Sequence, residues 1–438
     1  MKLLTESKNM YIKKIGFLSF LFTLFISCSS DSDEVIIVPQ PVTPEEKIIL
    51  KEVVVVDENT LKLEWTTTGK NTYQSFQFSR KTSENGTEGS LNQETGNTFV
   101  KIDNNIPYTP YLDYQITGYT TNGQSVKSNI VTYKRPGIKL LNIRPTDALF
   151  DSDNGNMFIF GDNGNIMKYD VTSGSVVKEI STGATLGYSF LGTFGGQKEL
   201  YVPRNDGWVY IYNTSDLSLK DQINFGSSVT SVVLANDKLY GTTGDISNVS
   251  LKCFDRATKQ LVSTNGNYQY GRIKKVANTN SSFFYITTNV GPPNLIRFNY
   301  NADGTFVNRF EDKYHGDHPL NDKIFEALPG GNGFLTAIEG AIYDSNLVFT
   351  GNLPRGNSGL TSFDFDTSNI IAGTDKKSIE LYNLNSYAKV NSINTERYPF
   401  KVFSYGNKIV SLSSTNAFAI NNYYLDPPVN VIVEILNK

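Results

Sequence analysis

From about residue 145 onward the chain alternates apolar and polar positions in short runs, and the runs return with a fixed rhythm. In Ile166-Met-Lys-Tyr-Asp-Val-Thr-Ser-Gly an alternating strand ends in an aromatic, followed by Asp and a polar turn. The same order returns as Val209-Tyr-Ile-Tyr-Asn, Leu251-Lys-Cys-Phe-Asp, Leu295-Ile-Arg-Phe-Asn and Ile379-Glu-Leu-Tyr-Asn. The aromatics are Tyr169, Tyr212, Phe254, Phe298, Tyr343 and Tyr382, with a weaker seventh copy at Ile420. Successive copies are 43, 42, 44, 45, 39 and 38 residues apart. Period-2 runs this short predict strands rather than helices.

A strand-only repeat of about 40 residues predicts a β-propeller with one blade per copy. Counting copies gives a seven-bladed propeller over 137–438, and an all-β protein. A single blade cannot bury both of its faces, so the blades stabilise one another by stacking around a ring. The repeated aromatics are expected at blade-to-blade contacts, and the Asp or Asn after them in turns. Their recurrence argues against catalysis, since a reaction needs one site and not seven. The Gly-His and Trp-Asp marks of WD40 repeats are missing. In repeat length and strand rhythm the array resembles the YVTN and quinoprotein-like propellers of secreted bacterial proteins, which implies a fold and little about activity.

Residues 47–136 alternate without that period. Apolar runs at 53–56, 60–65, 75–80, 98–102, 111–120 and 125–133 predict short strands, the last two joined at Asn122-Gly123, a strong hairpin turn. This predicts a β-sandwich of about ninety residues. Leu63-Glu-Trp65 and Tyr108-Thr-Pro-Tyr-Leu-Asp-Tyr114-Gln-Ile-Thr-Gly118 resemble the core Trp and the tyrosine-bearing strand of fibronectin type III domains, with Tyr108 where that family carries Leu. The resemblance implies a spacer module, and no Arg-Gly-Asp adhesion motif is present.

The amino terminus reads as an address. Lys13-Lys14 precede twelve apolar-rich residues at 15–26 and then Ser27-Cys28. A basic region, a short apolar core and a small residue at the cut predict a secretion signal over 1–27, translated from Met1 or Met10. Phe25-Ile-Ser-Cys28 resembles a bacterial lipobox, with Phe25 in place of the usual Leu. The resemblance implies that Cys28 is acylated, palmitate-type chains included, and anchors the protein in outer-membrane lipid. The acidic run Ser29-Ser-Asp-Ser-Asp-Glu34 resembles the export signal of Bacteroidetes surface lipoproteins, which implies the cell exterior. Residues 28–46, acidic and Pro-rich, are expected to be a tether.

Composition narrows the partners. Removing residues 1–27 takes away four Lys and one Glu, leaving 36 basic and 42 acidic residues and a net charge of −6. Such a balance argues against nucleic acid. Of the two cysteines, Cys28 would carry lipid if the lipobox resemblance holds, and Cys253 in an alternating strand is then expected to be a small core residue.

In a four-stranded blade the second-to-third loop and the connection to the next blade emerge on one face. Unusual residues fall there: Arg204, Asp206 and Trp208 in blade two, Asp375 in blade six, and His315, Asp317 and His318 after blade four. These seven are the candidate ligand-binding residues. His315-Gly-Asp-His318 holds both histidines of the protein, and such groups ligate metals or transfer protons. Three ligands in one short loop fall short of a zinc site, so no metal and no cofactor is expected. A polar turn explains the same residues, and both readings stand. Trp208 either packs or stacks on a sugar ring. No G-x-S-x-G elbow or Walker loop occurs. The leading expectation is a lipid-anchored surface protein whose propeller face binds a glycan, protein or nutrient complex. A polysaccharide lyase or hydrolase using His315 or His318, and a docking scaffold of an outer-membrane complex, remain alternatives.

Overall fold

The computed structural model describes residues 45–82, 89–244, 249–422 and 424–438. The leader, Cys28 and most of the tether lie outside the described residues. Among the described residues all regular elements are strands.

The first unit is made of two antiparallel sheets. Lys47–Leu50, Val54–Asp57 and Val100–Asp103 pair with Thr60–Thr68, and Tyr73–Lys81 and Val131–Lys134 flank Tyr111–Thr120. Alternation sends Leu61, Leu63 and Trp65 from one sheet, and Phe76, Phe78, Leu112, Tyr114 and Ile116 from the other, into a single core. Trp65 meets Phe76 and Phe78 edge-on at 5.2 and 5.1 Å, the orientation that ring quadrupoles favour. The Tyr114 phenol donates to Asp103, which also holds Arg80 at 2.8 Å, so these three polar groups satisfy one another.

Seven antiparallel sheets follow in chain order, six of four strands and the last of three. We call them blades one to seven: 145–181, 190–224, 229–265, 271–311, 325–352, 360–394 and 398–437. Within each blade the strands lie side by side in sequence order. The ring closes where Phe150 of blade one stacks on Phe403 of blade seven at 5.4 Å. Close by, the Leu141 amide donates to the Val431 carbonyl at 2.9 Å. This is a β-propeller.

The repeated aromatics are buried, and neighbouring blades share apolar clusters, as when Tyr240 of blade three meets Phe283 of blade four at 5.7 Å. In blades one, two, three, five and six the ladder between third and fourth strands shifts register immediately before the aromatic, at Tyr169, Tyr212, Phe254, Tyr343 and Tyr382. In blade four the shift falls at Tyr300, two residues past Phe298. Cys253 is buried in this packing, and burial pushes its thiol up to about 11.

Blade seven corrects one expectation. Its third strand is Val431–Asn437, paired with Lys408–Ser414, and Ile420 lies instead in the intervening loop, in an isolated bridge to Leu425. The loop 415–430 pushes the last strand downstream of the repeat, and that strand has no aromatic.

Two faces must be distinguished. On the connection face, the Gly187 amide between blades one and two donates to the Pro203 carbonyl at 2.8 Å, and the Gly359 amide between blades five and six donates to the Asp375 carboxylate at 2.9 Å. Inter-blade connections therefore meet second-to-third loops there. The turns between first and second strands emerge on the opposite face, the turn face. The first unit touches the propeller beside the start of blade seven, where buried Arg397 pairs with Glu58 and lies 4.3 Å from the Tyr108 ring.

Candidate functional site

The first strand of every blade is an edge strand of its sheet and faces the ring axis, and in blade three its free side is partly paired by a bridge between Tyr188 and Ser231. Such edges must be satisfied or covered. Here short polar side chains do it: the Ser231 hydroxyl accepts from the Ile273 amide at 3.2 Å, and the Ser362 hydroxyl from the Val402 amide at 3.1 Å. The Asp364 carboxylate accepts from the Ser404 amide at 2.6 Å. In blades one, three, six and seven the first ladder shifts register just before Asp147, Ser231, Ser362 and Lys401. A bulge re-aims the side chain that follows it, and these four line the axis.

The result is an axial cavity of about 800 Å³ walled by first-strand residues of all seven blades. Its lining includes residues of the turn face, Ser152, Thr367, Ser368 and Gly406, and it is open on that side. A second cavity of about 610 Å³ adjoins it under blades one to four, sharing Phe150, Ser152, Phe190, Leu191 and Lys275 with the first.

Toward the connection face the channel has a floor. Asp147 accepts from Arg272 and from Lys401, each at 2.8 Å. Burial alone would raise the Asp147 carboxyl, but the two cations overcome it and hold it well below the usual carboxylate range. Burial, with Arg272 nearby, lowers the Lys401 ammonium. Arg272 also donates to the Asp322 carbonyl at 2.7 Å and lies 4.0 Å from the Tyr188 ring, whose phenol donates to the Asp322 carboxylate. Under this layer sits a cavity of about 210 Å³, which shares Asp147, Tyr188 and Lys323 with the main channel. The blade-seven loop lines it through Leu425 and Pro427: Lys323 donates to the Leu425 carbonyl at 3.2 Å and Asn321 to the Asn421 carbonyl at 3.3 Å.

The open half carries different chemistry. Lys274 pairs with Glu326 at 2.5 Å, and Lys438 with Asp366 at 2.9 Å. Asp364 lines the cavity while surrounded by protein, and burial pushes its carboxyl up to about 7. Lys275 is half-buried, and burial lowers its ammonium.

The seven residues singled out from sequence lie on the connection face, at three separate places. Arg204 is buried, paired with Asp206 at 2.5 Å and stacked 3.9 Å from the Tyr210 ring, which occupies its guanidinium. Asp206 also receives the Trp208 amide at 3.3 Å, and Trp208 is half-exposed at the start of Trp208–Asn213. Asp375 is engaged by the Gly359 amide. His318 stacks on Phe349 at 3.9 Å with 15° between the rings, and meets Tyr314 edge-on at 4.6 Å. His315, at φ 47°, and Asp317 are exposed. Gly316 between them is required, since a Cβ there would stand 2.4 Å from Pro292. Among the described residues no ion pair or hydrogen bond joins these three places, and none of their residues groups into a metal-ligand cluster.

The channel residues Asp147, Tyr188, Arg272, Lys275, Asp364 and Lys401 were not singled out from sequence. The available signal was a charge inside a first strand, as in Gly271-Arg-Ile-Lys-Lys275, Phe363-Asp-Phe365 and Phe400-Lys-Val402.

No family model matches the chain, and no curated protein matches it. Among solved structures it is similar to Kuenenia stuttgartiensis hydrazine synthase, at 13% identity over 70% of this chain and 99% of that one, with a TM-score of 0.50. It is also similar to the WD40 repeats of RRP9, at 11% identity over 70% and 96% of the two chains with a TM-score of 0.46. A likeness to U3-55K has 12% identity, 70% and 97% coverage and a TM-score of 0.45. At these identities the likeness concerns fold alone, and the ring of seven sheets makes that fold a β-propeller.

Proposed function

We propose that this protein is a lipid-anchored cell-surface binding protein that takes an extracellular ligand into the open mouth of its propeller channel, on the turn face. The observation that carries the reading is the 800 Å³ cavity, open on one side and floored on the other, whose size and mixed aromatic and charged lining suit a small-molecule or glycan site. The connection face is less suited, because Arg204, Asp206, Asp375 and His318 are already engaged there by neighbours. The anchor at Cys28, display on the cell exterior and a fibronectin type III-like spacer over 47–136 belong to the same proposal and rest on the sequence patterns. The order of strands in the two sheets of the first unit is consistent with such a spacer.

The test is a binding screen of the mature chain against a glycan panel, run beside Ser152→Trp. Ser152 is exposed at the mouth, so the substitution fills the entrance without touching the core. Saturable binding lost in Ser152→Trp supports the reading, and binding that survives unchanged places the ligand elsewhere. A second reading, a polysaccharide-active enzyme, gains support from one observation. Asp364 is a carboxyl poised near neutral pH within the open half, suited to proton transfer. Release of reducing ends from a panel glycan, abolished in Asp364→Asn with binding retained, would establish it.

A further inference from the structure

We propose that the open half of the channel binds the anionic group of a sugar-sized ligand, a carboxylate or a phosphate, on the ammonium group of Lys275. The inference deepens the reading above and rests on the turn-face mouth being the ligand site.

Lys275 ends the strand Gly271–Lys275 and lines both adjoining cavities. Around it the other cations are matched: Lys274 by Glu326, Lys438 by Asp366, and Lys198 by Asp151 and, at 2.6 Å, Asp153. No ion pair or hydrogen bond engages the Lys275 ammonium among the described residues. Two other carboxylates face this region. Asp364 is turned onto the Ser404 amide, and Asp237 is exposed at the rim of the neighbouring cavity. Burial is the one influence on the Lys275 ammonium, and no carboxylate opposes it.

A half-buried cation without a partner is unfavourable, and the cost is removed when an anion arrives. Among the lysines around the mouth this one alone has no carboxylate partner, and it sits in a cavity of ligand size. The rings of Phe150 and Phe190, which line both cavities beside Lys275, give an apolar wall for the body of the ligand. Protonation of Asp364 below about pH 7 removes a negative charge from the same half, so anion binding should tighten on acidification.

The experiment is calorimetric titration of the mature full chain with D-glucuronate, D-glucose 6-phosphate and D-glucose. The expected result is saturable binding of at least one anionic sugar, at least about tenfold tighter than glucose, with glucuronate and the phosphate separating the two anion chemistries. Lys275→Met should weaken that binding about tenfold or more, Lys275→Arg should keep it within a few-fold, and binding should weaken with added salt. Because Lys275→Met deletes an unmatched charge, its unfolding midpoint should equal or exceed that of the parent, which separates lost binding from lost folding. Equal affinity for glucose and the anions, an unchanged affinity in Lys275→Met, a lowered midpoint or no saturable binding of any of the three would each overturn the proposal. The reading of the mouth as a ligand site falls only if the panel binding is also indifferent to Ser152→Trp.

Discussion

At the floor of the channel Asp147 is held between Arg272 and Lys401 at 2.8 Å each, whereas at the mouth Lys275 meets no carboxylate. Both ends are built from the same first strands and use the same residue types. The floor joins blades one, four and seven across the axis, with one buried carboxylate in contact with two buried cations. Such a triad gives the ring a fixed internal register, though apolar residues could fill the same volume at less cost. The mouth leaves charge and aromatic surface available. Ion-paired charge lies at one end and a cation without a carboxylate partner at the other.

The comparison breaks most sharply at Asp147. Asp147→Asn leaves Arg272 and Lys401 facing each other without their anion, and stability should fall by about 3–5 kcal/mol in chemical denaturation. A loss under about 1 kcal/mol would mean the floor is not a structural element. Next comes the pH dependence of the mouth. The folded Asp364 carboxyl, at about 7, lies above its unfolded value of 3.8, so the folded chain holds more protons between those values. The stability this group contributes is therefore present below about pH 4 and lost as pH rises through 7, a fall on the order of 2–4 kcal/mol. Denaturation midpoints at pH 5 and pH 8 should converge in Asp364→Asn relative to the parent. The smallest effect belongs to the connection face. His318→Ala forfeits the stack on Phe349 and should cost ~1 kcal/mol of stability while leaving ligand affinity unchanged. A loss of affinity in that variant would move recognition to the other face.

The blades were legible because each copy repeats one local demand. A third strand must bury an aromatic against its neighbour, so Tyr169, Tyr212 and Tyr382 recur at nearly constant spacing and are buried. Blade seven was misread for a physical reason: the loop 415–430 covers the axis, and its length displaces Val431–Asn437 from the repeat. The channel was not legible, because its partners are distant in sequence. Asp147 and Arg272 are separated by 125 residues, and neither carries a motif. The His-Gly-Asp-His loop attracted attention for its rarity, yet His318 serves as an aromatic plate between Phe349 and Tyr314. A charge inside a first strand is the sequence feature that marks an axial residue. Reading it requires knowing which strand is innermost.

The floored channel has a further consequence for what it can recognise. A tube open at both ends lets a polymer thread through and be gripped at any internal unit. A well with one opening admits only a terminus, and whatever enters must leave by the same path. For a glycan ligand this selects the last one or two residues of a chain over repeating interior units, so affinity should scale with the number of chain ends rather than with chain length. Shortening a polymer at constant mass would then raise the number of proteins it can hold.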